Sequence, residues 1–539
     1  MLGLMMDQPL SIASILRHAE QFHADSLIVS RNPEGGIHRY TYAEAATRSR
    51  RLANALSRLG VKSQDRVGTL AWNTHRHYEL YFAVSGSGAI LHTINPRLFA
   101  EQIVYIINHA EEEVLFVDLT FVPLIEKVFD QLHSLKKVVV MTDRAHMPSS
   151  QLPLLCYEEL VGAESDAYDW PELDENLAAS LCYTSGTTGH PKGVLYSHRS
   201  TVLHAWACMG GDTLGISSGS SLLPVVPMFH VNAWGVPYAA TMAGAKLVLP
   251  GAGLDGASLY ELIESEQVQL LLGVPTVWLG LLQYCEQESL KLEPVQRVVI
   301  GGSAAPLSMI KAFHEKHEAF VVHAWGMTET SPVGTVNGMT PYMASLPLEE
   351  RFRLQTKQGR PVFGVELKIV DDEGKALPLD GKSFGRLLIR GPWVASGYYK
   401  SDDRSAWEGG WFDTGDVATI DERGYMSIVD RAKDVIKSGG EWISSIDLEN
   451  AAMGHPAVAE CAVIGVPHPK WDERPLLLVI KRDGRELSKE EMLDFLADKV
   501  AKWWLPEDVL FVNELPHTPT GKLLKRQLRE EYREALTGR

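Results

Sequence analysis

The stretch Tyr183-Thr-Ser-Gly-Thr-Thr-Gly-His-Pro-Lys-Gly193 gathers hydroxyls, three glycines and a lysine behind an apolar run at 177–182. Residues of these types in this order suit a phosphate cradle. Glycine lets the backbone take positive φ and turn its N–H groups toward an anion, the hydroxyls add donors, and Lys192 supplies compensating charge. A Walker loop needs Gly-Lys followed directly by Ser or Thr. Here Lys192 is followed by Gly193 and Val194, so that motif is absent. A polar surface loop has the same composition, and the rest of the chain decides between the two.

Three further segments carry matching chemistry. Ala324-Trp-Gly-Met-Thr-Glu-Thr-Ser-Pro332 combines an aromatic face, hydroxyls and a carboxylate, which suits an adenine ring and a magnesium ion on its phosphates. Magnesium takes few protein carboxylates and keeps phosphate and water in its shell, so Glu329 with Thr184 is a sufficient protein contribution. Trp411-Phe-Asp-Thr-Gly-Asp416 places a carboxylate after a glycine turn, suited to the paired hydroxyls of a ribose. Near the C-terminus, Pro516-His-Thr-Pro-Thr-Gly-Lys522 fixes a lysine after a Pro/Gly turn. From another domain such a charge can stabilise a developing carboxylate–phosphate transition state. Each segment alone is ordinary, since aromatics beside glycine are usually core and Asp after Gly is usually a turn residue.

These side chains need a scaffold, and the sequence predicts an α/β one. Strand-like runs at 114–117, 137–141, 246–249 and 298–300 alternate with helical patterns, as in parallel sheets covered by helices. Gly301-Gly-Ser-Ala-Ala-Pro306 lies between a predicted strand and a predicted helix at 307–316, where open α/β sheets bind ligands. After residue 428 the texture changes to strands near 460–464 and 475–480 and a helix over 489–503, begun by the capping pair Ser488 and Glu491. A chain of 539 residues exceeds what one core supports. The boundary is placed at 430, giving a large N-terminal domain (1–430) of layered α/β subdomains and a small, mobile α+β C-terminal domain (431–539).

Composition excludes several function classes. The net charge of −17 argues against nucleic-acid and anionic-membrane partners, so a phosphorylated substrate must be met by local donors. The most apolar stretch, 270–282, is short and broken by Gly273 and Pro275, and reads as core rather than as a transmembrane segment. The N-terminal residues lack the basic and long apolar regions of an export signal. Five scattered cysteines form no Cys-x-x-Cys, so neither a disulfide framework nor a zinc site is expected and a cytoplasmic setting is.

Taken together, these segments resemble the adenylate-forming superfamily over essentially the whole chain, with five signatures in the family's order. The nearest likeness is to bacterial fatty-acyl-CoA synthetases. Val226-Pro-Met-Phe-His-Val-Asn-Ala-Trp-Gly-Val-Pro-Tyr238 looks like their gate segment, in which a tryptophan, here Trp234, closes the acyl tunnel until ATP binds. His230 and Asn232 of that segment are positioned to orient it, and His230 joins Lys522, Glu329 and Thr184 as a catalytic candidate.

The resemblance implies the remaining roles. Thr184, Ser185, Gly186, Thr187, Thr188, Gly189 and Lys192 would hold the ATP phosphates, with Thr184 and Glu329 on Mg2+. Gly302, Ser303 and Ala304 would line the adenine and acyl entrance. Trp325 would stack on the base where the family often has Tyr, flanked by Gly326, Met327 and Thr328, and Asp416 with Arg431 would hold ribose. Lys433 falls at the hinge between adenylating and thioester-forming poses, and Lys522 acts in the first. Ser438, Gly439 and Gly440 would face the CoA channel, with Lys437 and Trp442 nearby as further nucleotide contacts. ATP and CoA are then cosubstrates and a homodimer is implied.

The activity so implied is ATP-dependent ligation of a medium- or long-chain fatty acid to CoA, releasing AMP and pyrophosphate. The same reaction on 3-(methylthio)propionate is the nearest alternative. A peptide-synthetase adenylation domain is disfavoured by the fatty-acid type of the gate segment, and a luciferase-like oxygenase has no separate signature. A nucleotide-binding sensor without catalysis is disfavoured because Lys522, Glu329 and Arg431 are all present.

Overall fold

The computed structural model describes residues 1, 3–184, 190–438, 441–517 and 523–536, with Glu441 and Trp442 described by backbone alone. The strands expected from sequence stand at Val114–Val117, Lys137–Val140, Lys246–Leu249 and Arg297–Ile300, and the expected helix at Leu307–His317.

Two large sheets form the body. The first runs Leu154–Cys156, Lys137–Val140, Val114–Val117, Arg66–Leu70, Ile90–Thr93, Ala178–Tyr183 and Gly193–Ser197. It is parallel up to the last, antiparallel pair. The second has a parallel centre, from Phe320–Gly326 through Arg297–Ile300, Leu270–Gly273, Ser221–Pro224 and Lys246–Leu249 to Leu27–Arg31. Antiparallel strands flank it on both sides. The central strands Val114–Val117 and Leu270–Gly273 are buried at every residue, which is why they read as unbroken aliphatic runs: helices cover both faces. Helix starts are specified locally. Thr41 and Glu44 bond reciprocally at the head of Tyr42–Arg58, satisfying two donors that a helix end leaves orphaned.

A third, antiparallel sheet is built from Glu366–Val370, Phe384–Arg390, Trp411–Ile420, Trp407–Glu408 and Met426–Arg431. Asp416 lies inside the long strand Trp411–Ile420 rather than after a turn, although Gly415 does hold φ +70°. A fourth sheet contains Ile436–Ser438, Glu441–Ile443, Val458–His468, Asp472–Lys481 and Asp508–Phe511. The chain therefore changes sheets between 431 and 436.

The late helix is shorter than its sequence pattern. Ser488 Oγ accepts from Glu491 N–H at 3.1 Å, but the helix ends at Ala497. Beyond it a short 3-10 turn, Lys502–Trp504, brings the carbonyls of Trp503 and Leu505 to the Arg474 guanidinium at 2.8 and 3.0 Å. Charge-assisted bonds of this kind are about twice as strong as neutral ones. Among the described residues no helix is long and apolar enough to cross a membrane. The five cysteines are buried and unbridged.

Candidate functional site

A cleft of about 910 Å³ opens where the ends of the first two sheets meet the third, and the 431–434 turn and Leu523 close its rim. Strand Ala178–Tyr183 delivers the phosphate segment to it as a hairpin, with Tyr183 paired to Gly193. Thr184 N–H donates to the Lys192 carbonyl at 2.9 Å and Lys192 N–H to Thr184 Oγ1 at 3.2 Å, closing the loop's neck. Thr184 and Lys192 line the cleft. Ser185, Gly186, Thr187, Thr188 and Gly189 lie outside the described residues. The neck is buttressed by Tyr183, whose hydroxyl meets His109 Nδ1 at 2.7 Å. Burial, then the nearby Lys400, lowers the His109 pKa, which keeps the imidazole neutral.

Glu329 sits on a short 3-10 turn after strand Phe320–Gly326 and is 6% exposed. One carboxylate oxygen accepts from Tyr398 at 2.7 Å; among the described residues no donor reaches the other. Burial and then the Glu329 charge push the Tyr398 phenol up, so it remains a protonated donor. The Lys192 ammonium lies 4.7 Å from the centre of the Tyr398 ring and 3.9 Å from the exposed Asp403 carboxylate. Tyr398 thus joins the two charged residues expected on opposite sides of a triphosphate. Neither periodicity nor motif had pointed to it, and its only cue was the aromatic pair of Gly397-Tyr-Tyr-Lys400. One carboxylate beside a threonine hydroxyl fits a magnesium ion that keeps phosphate and water ligands. No cluster of three protein ligands exists among the described residues.

Trp325 and Asp416 form the third part. The indole N–H donates to Asp416 Oδ2 at 3.0 Å, and Arg431 Nε reaches Oδ1 at 2.9 Å. Trp325 packs so closely on Gly334 that a Cβ there would fall 2.5 Å from the ring. A side chain at Gly326 would fall 1.8 Å from the Pro332 carbonyl, so glycine is obligatory at that position. Trp325, Gly326, Met327, Thr328 and Arg431 line the cleft. Asp416 does not; it is buried behind Trp325 and Arg431 and orients both.

The apolar end of the cleft holds Trp234, with Leu214, Val231, Val299 and Val333. The Trp234 indole lies against Gly301, where a Cβ would be 2.9 Å from the ring. Residues 231–235 all have left-handed φ: 47° at Val231, 50° at Asn232, 48° at Ala233, 59° at Trp234 and 70° at Gly235. Such backbone costs roughly 1–2 kcal/mol per L-residue, so the surroundings must hold it. His230 lines the cleft. The Asn232 amide turns away from Trp234, donating to Ser180 Oγ at 2.8 Å and accepting from Cys182 Sγ at 3.3 Å. Its expected role in orienting the indole directly is therefore corrected: its amide bonds to the neighbouring strands instead.

Other expected residues stand elsewhere. Gly302 lines the cleft with φ +80°, a turn after which Ser303 and Ala304 leave the lining. Lys437 is exposed on the fourth sheet, its N–H donating to Glu473, and Ser438 is buried against Arg474 at 3.3 Å. Because strand Ile436–Ser438 belongs to that sheet, neither contributes to the cleft in this arrangement. The Trp442 side chain, Gly439, Gly440 and Lys522 lie outside the described residues. Lys433 lines the rim.

Anion donors at a strand end, a carboxylate, an aromatic platform and an apolar pouch within one cleft suit a nucleotide together with an apolar acid. Residues 15–399 match the AMP-binding enzyme family, and residues 447–522 match the AMP-binding enzyme C-terminal domain. The chain is 54% identical, over the full length of both proteins, to the 3-methylmercaptopropionyl-CoA ligase of Ruegeria lacuscaerulensis. It is 53% identical to the medium-chain-fatty-acid–CoA ligase of Ectopseudomonas oleovorans over 99% of this chain and 98% of that protein. With the long-chain-fatty-acid–CoA ligase of Thermus thermophilus it shares 48% identity over 98% and 97%. The crystal structure of the anthranilate CoA ligase AuaEII in complex with anthranoyl-AMP superimposes with a TM-score of 0.87 at 27% identity, covering 98% of this chain and 99% of that one. Matched along its whole length in sequence and in fold, the chain belongs to the AMP-binding enzyme family.

Proposed function

We propose that the protein is an ATP-dependent acyl-CoA synthetase that adenylates a medium- or long-chain fatty acid and passes the acyl group to CoA. The observation that carries this reading is the convergence of the Thr184–Lys192 neck, Glu329, Trp325 and Arg431, the last two held by Asp416, on one cleft whose far wall is apolar at Trp234. In the first half-reaction a carboxylate oxygen attacks the α-phosphorus of ATP, forming an acyl–O–P bond as the bond to pyrophosphate breaks. In the second, the CoA thiolate attacks the acyl carbon and AMP leaves with the carbonyl carbon's former oxygen. Positioning and charge neutralisation dominate such phosphoryl chemistry.

The residues divide the work. The hairpin neck and Lys192 hold the phosphates, Trp325 stacks on the base, and Arg431, oriented by the buried Asp416, reaches the ribose. Glu329 and Thr184 would hold magnesium, which would supply charge neutralisation on the phosphates. Leu523 at the rim supports an adenylating pose in which its sequence neighbour Lys522 serves the transition state. Lys437, Ser438, Gly439, Gly440 and Trp442 then serve the second pose, after the small domain turns about Lys433. The family matches, ending at 399 and resuming at 447, support a domain boundary near 430. The buried, unbridged cysteines support a reducing cytoplasm, and a homodimer rests on family likeness.

Pyrophosphate release measured with a series of fatty acids and with 3-(methylthio)propionate tests the assignment; no release with any acid would sink it. The 54% identity to a 3-methylmercaptopropionyl-CoA ligase supports the small acid as the second reading, which predicts turnover falling as the chain lengthens.

A further inference from the structure

The run of left-handed residues that carries Trp234 needs a cause. Glycine and asparagine accept positive φ readily, but Val231, Ala233 and Trp234 do not. A strained turn of this kind persists only where its neighbours over-determine it. Three groups converge on its one polar side chain. Asn232, 4% exposed, donates to Ser180 Oγ at 2.8 Å and accepts from Cys182 Sγ at 3.3 Å and Thr93 Oγ1 at 3.5 Å. Ser180 and Cys182 stand on strand Ala178–Tyr183, which runs directly into the phosphate hairpin, and Thr93 ends the adjoining strand Ile90–Thr93. Val231 packs with Cys182, Val194 and Tyr196 of the two hairpin strands and with Tyr398, whose hydroxyl holds Glu329. Each partner of the Asn232 amide, and the packing around Val231, thus lies on or beside the strands that carry the phosphate segment, while Trp234 closes the apolar pouch.

We infer that Asn232 is a positioning residue that couples the phosphate hairpin to Trp234. With the hairpin strand in its present place, the amide clamps the backbone in the left-handed form and the indole against Gly301. A nucleotide that shifts this strand loosens the clamp, and relaxation of φ at 231–234 carries the indole off the pouch. The inference rests on the reading of Trp234 as a gate. It adds the residue that makes the gate answer to ATP, with no contact of its own to either substrate.

The test uses the full chain, decanoate as acid and α,β-methylene-ATP as nucleotide. Decanoate affinity is measured with and without nucleotide, beside the unfolding midpoint. Coupling between sites is typically about 5- to 150-fold, and the parent should show decanoate binding tightened within that range. Asn232→Gly keeps a backbone that favours positive φ while deleting the amide's bonds, so it separates the clamp from the strain. It should bring the ratio to within about twofold of one, and Ser180→Ala should lower it in the same direction. A parent ratio retained in Asn232→Gly, whatever happens to the midpoint, overturns the relay and leaves the gate standing. A parent ratio of one, with Trp234→Ala not raising nucleotide-free decanoate binding, overturns the gate and the relay together. Pyrophosphate release with decanoate reports separately on the synthetase assignment.

Discussion

Trp325 and Asp416 are joined by a 3.0 Å hydrogen bond from indole to carboxylate, so the expected base platform and the expected ribose anchor are one unit. Arg431 completes it through the other carboxylate oxygen. Trp325→Phe keeps an aromatic face but removes this bond, together with part of the ring's packing on Gly334. A hydrogen bond to a charged group is worth about 1.5–3 kcal/mol, so KM for ATP should rise at least tenfold with little change in the acid's KM. Steady-state kinetics with each substrate varied checks this; an unchanged ATP constant would show that the bond plays no part in nucleotide binding.

The scaffold was legible because local chemistry specifies it: the strands at Val114–Val117, Lys137–Val140, Lys246–Leu249 and Arg297–Ile300 follow from aliphatic runs. The segment from Tyr183 to Gly193 reads in sequence as a glycine-rich loop, and its hairpin pairing comes from the antiparallel edge of the sheet. The late helix is shorter than its sequence pattern, and the chain beyond it bonds through the Trp503 and Leu505 carbonyls to Arg474, a partner distant in sequence. Tyr398 was invisible, since nothing in its neighbours announces that its hydroxyl will meet Glu329. The left-handed turn at 231–235 was hidden more deeply, because three of its five residues disfavour that backbone.

Lys522→Ala should slow acyl-adenylate formation by about 10²–10³-fold, the usual cost of removing one preorganised donor. CoA transfer from supplied acyl-adenylate should stay near the parent rate. Equal loss in both half-reactions would contradict a lysine that acts in one pose only.

Contacts around the 430–434 turn locate a pivot. Arg431 pairs with Asp416, and Ala432 N–H donates to the Gly415 carbonyl at 3.0 Å, both on the third sheet. Asp434 pairs with Arg529 on the last helix. Lys433 lies between a residue held by the third sheet and one held by the small domain. Proline there fixes φ and should leave adenylation intact while slowing thioester formation. Rapid-quench separation of the two steps checks it, and normal overall turnover would place the swing elsewhere.

Lys525 is mostly buried beside Glu449 at 2.7 Å and donates to Ser445 Oγ, which also serves Asp430. Removing the cation strands Glu449 and Asp430 as buried carboxylates. Lys525→Met should destabilise the protein by about 3–5 kcal/mol, the usual cost of breaking a buried pair. Urea unfolding reads this, and a loss below about 1 kcal/mol, the level of an exposed pair, would show the cluster to be solvated.

Asp118 gives the stability a pH dependence. Burial pushes its carboxyl up to about 7, against one stabilising bond from Trp72 N–H at 2.7 Å. The folded state then holds a proton that the unfolded chain releases near pH 4, so stability falls as pH rises from about 4 to 7. Asp118→Asn should gain on the parent across that window, by at most about 1.4 kcal/mol per pH unit, and then run parallel to it. Unfolding midpoints at pH 5, 6, 7 and 8 check this; a constant offset would mean that Asp118 ionises normally.

The neck formed by Thr184 and Lys192 makes the intervening loop an exchangeable cassette. The flanking strands register through Tyr183 and Gly193, so the sheet itself brings the loop's ends together. Doubling such a loop costs only about 0.6 kcal/mol more. Natural variation or laboratory grafting can therefore rewrite the anion-binding residues one by one while the register of the sheet, and with it the alignment of the rest of the cleft, is inherited unchanged.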